Sequence, residues 1–371
     1  MRVLMTGGGT AGHINPALSI ADAIKREYPD AEFLFVGAKG RMETILVPKA
    51  GYPIRTVTVE GFQRKLSLAN IKKNIGAAYH ALTAGRESAK ILREFRPDLA
   101  IGTGGYVCGP VLRRAAKMGI PVLVHESNAL PGVTVKMLAP YAKAVMVSTE
   151  EAKRRLPETA NVVVTGNPLR QGMTTIDRET ARRELGVDER PLVLCFGGSL
   201  GARPLNEAIV GVLKQQGAER VQFIIGTGRG KNHEHVQALL KEHGIEPDGV
   251  RVRVRDYIDD MPRCMAAADL VISRCGAMTL SELPALGKPS ILVPSPYVAE
   301  NHQYYNAMAL ADRGAAVCLE EKDLTPERLW KEIESITLDP EALGKMGAAA
   351  KAAAVLDAEE RILAVIREAL A

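Results

Sequence analysis

The sequence predicts an α/β protein made of two doubly wound parallel-sheet domains. Three observations predict it. Short Val/Ile/Leu runs alternate with helical stretches along the whole chain. Glycine-rich turns follow several of those runs, and the pattern of the first half recurs in the second. The 371 residues fit two domains at about 150 residues each. A hydrophobic content of 46% with 25% charged residues is ordinary for a chain that buries sizeable cores.

Val3–Thr6, Glu32–Val36, Leu99–Gly102, Val122–His125, Ala144–Val147 and Val162–Val164 read as buried strands of the first domain. Leu192–Phe196, Gln222–Ile225, Val250–Val254, Leu270–Ser273, Ser290–Val293 and Ala316–Leu319 read as those of the second. Near-continuous apolar strands separated by helices imply parallel sheets covered on both faces. The run from Arg2 through Gly7-Gly8-Gly9 into a helix at Pro16–Lys25 is echoed by Leu192 through Gly197-Gly198 into a helix near Leu205–Lys214. The turn-forming run Thr165-Gly166-Asn167-Pro168 marks the boundary. Glu341–Ala371 reads as helix, with Ile362, Val365 and Ile366 as its apolar stripe.

Composition excludes several classes. No apolar run reaches the ~18 residues a spanning helix needs, and Met1-Arg2 leads straight into a strand rather than a secretory signal. The five cysteines are scattered, without a CxxC pair, which argues against a disulfide scaffold or a thiolate zinc site and fits a reducing compartment. Residues 1–165 hold 23 Lys/Arg against 13 Asp/Glu, and residues 166–371 hold 25 against 30. The basic half points to a polyanionic partner. With 4% aromatics and no aromatic-basic interleaving, nucleic acid is disfavoured.

In such sheets, ligands bind beyond the carboxyl ends of the strands at the topological switch point. Glycines let backbone approach a phosphate, and a helix N-terminus favours an anion. Gly7-Gly8-Gly9-Thr10-Ala11-Gly12 matches GxGxxG, but Val36-Gly37-Ala38-Lys39 lacks the acidic residue that a dinucleotide fold places there. Gly197-Gly198-Ser199-Leu200-Gly201 matches GxSxG, the nucleophile elbow of serine hydrolases. No histidine stands in a context that supports that role, so a phosphate cradle is favoured. Gly104-Gly105-Tyr106 and the stretch Arg274–Glu282 repeat the design. Thr279 and Ser281 fall near a helix start with Glu282 in the first turn, where a carboxylate could grip a ribose or simply complement the dipole.

Asn15-Pro16 reads as an N-cap followed by proline at the first helical position. That puts His13 just outside a helix N-terminus, as a neutral base or a phosphate ligand. His125-Glu126-Ser127-Asn128 ends an apolar strand and is expected to face the ligand crevice. No metal-ligating spacing occurs, so a leaving diphosphate would rely on helix N-termini and cations such as Arg170. Leu68, Ile71, Ile75, Tyr79 and Leu82 fall at helical spacing, flanked by Arg64, Lys65, Lys72, Lys73 and Arg86. This is a basic amphipathic helix suited to an anionic bilayer, or a core-facing stripe with a solvated back.

Together, Gly8–His13, Gly104–Val107, His125–Asn128, Gly166–Arg170, Gly197–Arg203, Arg274–Glu282 and Gln303-Tyr304 resemble, in order and across nearly the whole chain, the MurG family of peptidoglycan UDP-N-acetylglucosamine transferases. Two departures are small: His302 precedes Gln303, and Ala11 stands where glycine is frequent. The resemblance implies a GT-B fold of two Rossmann-like domains facing a central cleft. The acceptor domain would be 1–165, with a helix of about 350–371 packing back onto it, and the donor domain 166–349. It implies an inverting transfer of GlcNAc from UDP-GlcNAc to the 4-hydroxyl of MurNAc in undecaprenyl-diphosphoryl-MurNAc-pentapeptide. The catalytic set would be His13, Glu126 and Asn128, with His13 taking the hydroxyl proton directly or through Asn128 and Glu126.

The resemblance further implies Ile258 at uracil, Glu282 at ribose, and Ser199 and Arg170 near the nucleotide or its phosphates. Asn128, Ala277, Met278, Thr279 and Gln303 would address the GlcNAc, with Leu280 and Ser281 also among the substrate-binding residues. Thr10, Ala11 and Gly12 would border the sugar and the acceptor diphosphate, with Gly8, Gly9, Gly104, Gly105 and Tyr106 on the acceptor side. It implies no required cofactor, though a free divalent cation can assist, and no metal site. Partners would be anionic inner-leaflet lipids, met through Leu68, Lys72, Lys73, Ile75, Tyr79 and Leu82 at the cytoplasmic face of the plasma membrane. A lipid glycosyltransferase acting on diacylglycerol, a UDP-GlcNAc 2-epimerase, a serine hydrolase using Ser199 and a non-catalytic nucleotide-binding module are the rival readings.

Overall fold

The computed structural model describes residues 1–59, 83–169, 172–198 and 200–371. The membrane-facing expectation at Leu68, Lys72, Lys73, Ile75, Tyr79 and Leu82 lies outside the described residues, as do Arg170 and Ser199. The chain forms two units, Met1–Leu169 with Asp357–Ala371, and Arg170–Leu356.

The first unit runs β1 (Arg2–Thr6), α1 (Ala11–Glu27), β2 (Glu32–Ala38), α2 (Glu43–Lys49), β3 (Ile54–Val57) and α3 (83–95). It continues with β4 (Leu99–Gly102), α4 (Cys108–Lys117), β5 (Val122–Glu126), α5 (Val133–Leu138), β6 (Ala144–Val147), α6 (Glu150–Lys153) and β7 (Val162–Val164). The strands form one parallel sheet in the order β3-β2-β1-β4-β5-β6-β7. Successive side chains leave a strand on opposite faces. Val3 and Met5 therefore pack with Ile14, Ile20 and Ile24 of α1, while Leu4 packs with Val111 and Leu112 of α4. Burial on both faces is what makes these strands continuous apolar runs. The order reverses between β1 and β4, so the loops after those two strands lie side by side.

The second unit runs α7 (Arg178–Leu185), β8 (Leu192–Phe196), α8 (Arg203–Val212), β9 (Gln222–Gly226), α9 (Lys231–Glu242), β10 (Val252–Arg255), α10 (Met261–Ala267) and β11 (Leu270–Ser273). Then come α11 (Thr279–Ala285), β12 (Ser290–Leu292), α12 (His302–Ala311), β13 (Ala316–Cys318), α13 (Pro326–Thr337) and α14 (Pro340–Ala352). Its sheet is parallel in the order β10-β9-β8-β11-β12-β13, with the switch between β8 and β11.

Four expectations are revised. The Glu341–Ala371 helix is two helices, α14 and α15 (Ala358–Leu370), broken at 353–357, and the first unit takes up the chain only from Asp357. The stripe Ile362, Val365 and Ile366 joins the core of β1 and α1, and Arg26–Glu359 and Arg367–Glu27 ion pairs flank it at 2.6 and 3.0 Å. The unit boundary falls after Leu169 rather than after 165, because the Gly166 carbonyl bonds His125 and the Asn167 side chain donates to Ser127 O at 3.0 Å. An edge strand, β3, adds to the six expected in the first sheet.

The fourth revision concerns α1. It starts at Ala11 with Thr10 as N-cap, and Pro16 lies inside it. His13 and Ile14 N–H both donate to the Thr10 carbonyl, so a helical turn already exists before Asn15. Asn15 is therefore not the N-cap, and His13 sits in the first turn of the helix rather than outside it. Among the described residues no helix is long and apolar enough to cross a membrane.

Candidate active site

In the first unit the loops after β1 and β4 are stitched together. Gly8 N–H donates to Gly104 O at 3.3 Å, and Thr103 N–H donates to Thr6 O at 3.0 Å. Gly105 has φ +87°, and a Cβ there would overlap the Gly8 carbonyl. A Cβ at Gly104 would strike the His13 ring. These glycines thus permit close approach between the two loops.

The Gly8 N–H is committed to that contact. The Gly9 N–H donates to Glu43 Oε2 at 3.0 Å. The backbone groups open to an anion are instead those of Ala11 and Gly12, because the first N–H groups of a helix have no intrahelical acceptor. Thr10 and Gly12 are exposed and Ala11 is half-buried. This places the anion-binding end of α1 at Thr10–Gly12, one turn along from the glycine triplet.

His13 is half-buried beside this end. Its Nδ1 lies 3.0 Å from the Thr103 carbonyl oxygen. A carbonyl only accepts, so Nδ1 carries the hydrogen and Nε2 keeps its lone pair. Burial pushes the imidazole pKa below 6.5, while the Thr103 hydrogen bond and the Glu43 charge pull the other way. The Thr103 hydroxyl also donates to the His13 carbonyl at 2.6 Å. Thr103 and Glu43 were not legible as site residues in the sequence. Each acts through a contact across 30 or more positions.

The strand-end cluster divides in two. His125 is fully buried, with Nε2 3.2 Å from Gly166 O and Nδ1 3.4 Å from Ser127 Oγ. Burial lowers its pKa to about 4. It packs into the unit and does not serve the crevice expected for it. The Glu126 carboxylate accepts from Asn128 N–H and Asn128 Nδ2 at 2.9 Å each, and from Gly132 N–H at 2.8 Å. It therefore orients Asn128 and the turn into α5. Tyr106 is 61% exposed at the start of α4.

In the second unit a cavity of about 480 Å³ opens at the β8/β11 switch. Gly197, Gly198, Arg203, Arg274, Thr279 and Gln303 line it. α8 points its N-terminus there, with Ala202 as N-cap, and a ten-residue helix supplies a partial positive charge at that end. A Cβ at Gly201 (φ +77°) would overlap the Thr227 carbonyl, so this loop too is glycine for close packing. Arg274 Nη1 donates to Val293 O and Pro294 O at 3.2 Å each, and Nη2 pairs with Glu321. A fixed guanidinium therefore lines the cavity, a role the sequence did not single out.

Gln303 Oε1 accepts from Ser295 N–H at 2.9 Å. Asn306 Nδ2 pins the loop after β11 through Cys275 O at 3.0 Å. Glu282 is buried in the first turn of α11, and Ser281 Oγ donates to Ala277 O. The Ile258 side chain is buried against Gly226. Thr279 and Gln303 thus share the cavity. Ile258, Ala277, Met278, Leu280, Ser281 and Glu282 are not among its lining residues.

Two family models match in order: the glycosyltransferase family 28 N-terminal domain over residues 3–147 and the C-terminal domain over 192–362. The UDP-N-acetylglucosamine–N-acetylmuramyl-(pentapeptide) pyrophosphoryl-undecaprenol N-acetylglucosamine transferase of Acetivibrio thermocellus is 44% identical, over 99% of this chain and 98% of its own. The Bacillus cytotoxicus protein of the same name is 43% identical over 99% of both. The crystal structure of Acinetobacter baumannii MurG superposes with a TM-score of 0.80 at 29% identity, covering 99% of each chain. The UDP-GlcNAc 2-epimerase of Neisseria meningitidis shares only the fold, with a TM-score of 0.66 at 16% identity over 100% and 99% of the two chains. With glycine loops at both switch points and full-length relatives at this identity, the chain has the GT-B fold and belongs to the MurG family within glycosyltransferase family 28.

Proposed function

We propose that this chain transfers GlcNAc from UDP-GlcNAc to the 4-hydroxyl of the MurNAc in undecaprenyl-diphosphoryl-MurNAc-pentapeptide, with inversion. The observation that carries the reading is His13. Its ring is held by Thr103 with Nε2 unprotonated, beside an exposed helix N-terminus. The acceptor hydroxyl gives its proton to Nε2 as its oxygen attacks the anomeric carbon. The C1–O bond to the diphosphate breaks, and its electron pair leaves with UDP. The N-terminus of α8 and the Arg274 guanidinium are suited to that developing charge.

Glu126 orients Asn128, whose side chain addresses the sugar. Glu282 serves the ribose, Thr279 and Gln303 the GlcNAc, and Ser199 and Arg170 the nucleotide or its phosphates. Thr10, Ala11 and Gly12 receive the acceptor diphosphate. The chemistry needs no resident cofactor or metal, and a free divalent cation can shield the leaving diphosphate. The basic first half (23 Lys/Arg against 13 Asp/Glu over residues 1–165) suits anionic lipids at the cytoplasmic face of the plasma membrane, and no nucleic-acid partner is invoked.

A transfer assay tests this. The protein is incubated with a polyprenyl-diphosphate-linked MurNAc-peptide and UDP-GlcNAc, UDP-glucose or UDP-galactose, with and without chelator. UDP release coupled to a disaccharide-lipid product, selective for UDP-GlcNAc, is expected. Hydrolysis of UDP-GlcNAc without transfer, or release of free ManNAc, would overturn the reading.

A further inference from the structure

We infer that Glu43 is a positioning residue for this reaction: its carboxylate serves as the anion of the first glycine loop and sets the charge felt by His13. The inference rests on His13 as the base. Glu43 begins α2, on a different element from either loop, and is 1% exposed. Its Oε2 accepts from Gly9 N–H at 3.0 Å and its Oε1 from Ala38 N–H at 2.9 Å. The side chain fills the space above two glycines. A Cβ at Gly8 would overlap its carboxylate, and one at Gly37 would overlap its stem.

A buried carboxylate without compensating donors is strongly disfavoured, yet this one is built into the loop by two backbone donors and two missing side chains. A glycine-rich turn after a first strand commonly offers its N–H groups to a ligand phosphate. Here Glu43 takes the Gly9 N–H and Gly104 takes the Gly8 N–H. The substrate's anion is thereby directed one turn on, to Thr10–Gly12, beside His13.

A fixed negative charge near the ring also favours the imidazolium that forms as the hydroxyl proton arrives. This parallels the carboxylate of a catalytic triad, which orients and stabilises without accepting the proton. The Glu43 charge acts on His13 of α1 and on Cys108 of α4. The Cys108 thiol is fully buried, with burial pushing its pKa up to about 12, so it stays neutral and does not compete.

Glu43→Gln keeps the shape, removes the charge and leaves an amide NH2 facing one of the two backbone donors. Glu43→Asp keeps the charge but is one methylene too short to reach both amides. In Glu43→Gln, kcat is expected to fall about tenfold or more, a fraction of a general base's whole contribution, with the KM for UDP-GlcNAc within twofold. Its His13 imidazole, followed by NMR in the full-length protein, should titrate at lower pH than in wild type. Glu43→Asp should lose kcat while titrating His13 close to wild type. A thermal melt separates these effects from unfolding. A wild-type His13 titration in Glu43→Gln, or a kcat within twofold of wild type, overturns the inference. An active His13→Ala together with a displaced titration in Glu43→Gln would instead overturn the base assignment and support the electrostatic link between the two residues.

Discussion

His13 Nδ1 and the Thr103 carbonyl oxygen lie 3.0 Å apart, and that contact fixes which edge of the imidazole is available for chemistry. With Nδ1–H committed, Nε2 is the acceptor. Burial keeps the pKa of the ring below 6.5 despite that bond and the Glu43 charge, so the free base dominates at neutral pH. As pH falls through the lowered pKa the ring protonates and the base is lost. The acid limb of kcat/KM, which reports the free enzyme, should therefore have an apparent pKa below 6.5. His13→Ala should lower kcat about a hundredfold or more and abolish that limb. A loss of less than about tenfold, or an unchanged limb, removes the assignment.

Thr103 also fixes the backbone of His13 through its hydroxyl. Thr103→Val keeps the volume and the carbonyl but leaves the part-buried His13 oxygen without this donor. Losing one partner of a buried hydrogen bond costs about 1–3 kcal/mol. Chemical unfolding should show that loss, with a fall in kcat larger than any change in KM. Thr103→Ser, which retains the hydroxyl, should recover most of both. Equal stability of the Val and Ser variants would show that the hydroxyl contributes nothing there.

How much of this was legible follows from where the information sits. β1, β2 and β4 announce themselves because both faces of each are buried, so Val3–Met5, Phe33–Val36 and Leu99–Ile101 are unbroken apolar runs. β3 (Ile54–Val57) does not, because Arg55 and Thr56 face solvent at a sheet edge and no apolar run forms. Asn15-Pro16 carries a strong local helix-start signal, yet the His13 and Ile14 N–H groups already close a turn on the Thr10 carbonyl, and Thr103 of the β4 loop holds His13 there. The break between α14 and α15 contains neither glycine nor proline. It coincides with the point where the chain passes from one unit to the other. The glycine loops could be read as ligand loops, but not which N–H groups remain free. That depends on Glu43 and Thr103, which reach the loop from other elements.

His125 gives a test of burial apart from function. Both ring nitrogens are bonded inside the unit, and burial lowers the pKa to about 4. The unfolded chain protonates near the ordinary value of about 6.5. Stability from this group is fully present above about pH 6.5. It declines as pH falls toward about 4 because only the unfolded state gains the proton, and it is constant below that. The total is on the order of 3 kcal/mol. His125→Gln should destabilise at pH 8 and flatten the stability slope between pH 6.5 and 4 relative to wild type. Parallel slopes for the two proteins would mean that His125 titrates normally.

Gly201 and Gly9 share a left-handed backbone (φ +77° and +85°) but differ in surroundings. A Cβ at Gly9 meets nothing within 4 Å, whereas one at Gly201 overlaps the Thr227 carbonyl. Gly9→Ala should therefore cost only the conformational penalty, about 1–2 kcal/mol. Gly201→Ala adds an overlap that only a backbone shift relieves, for about 3 kcal/mol or more in total. That shift moves the loop lining the β8/β11 cavity, so the KM for UDP-GlcNAc should rise in Gly201→Ala. In Gly9→Ala the donor KM should stay within twofold. Unfolding curves and donor KM values for the two variants, measured side by side, check the argument. An equal effect on both would show that left-handed strain alone, and not close packing of the loop after β8 on Thr227, is what requires glycine at 201.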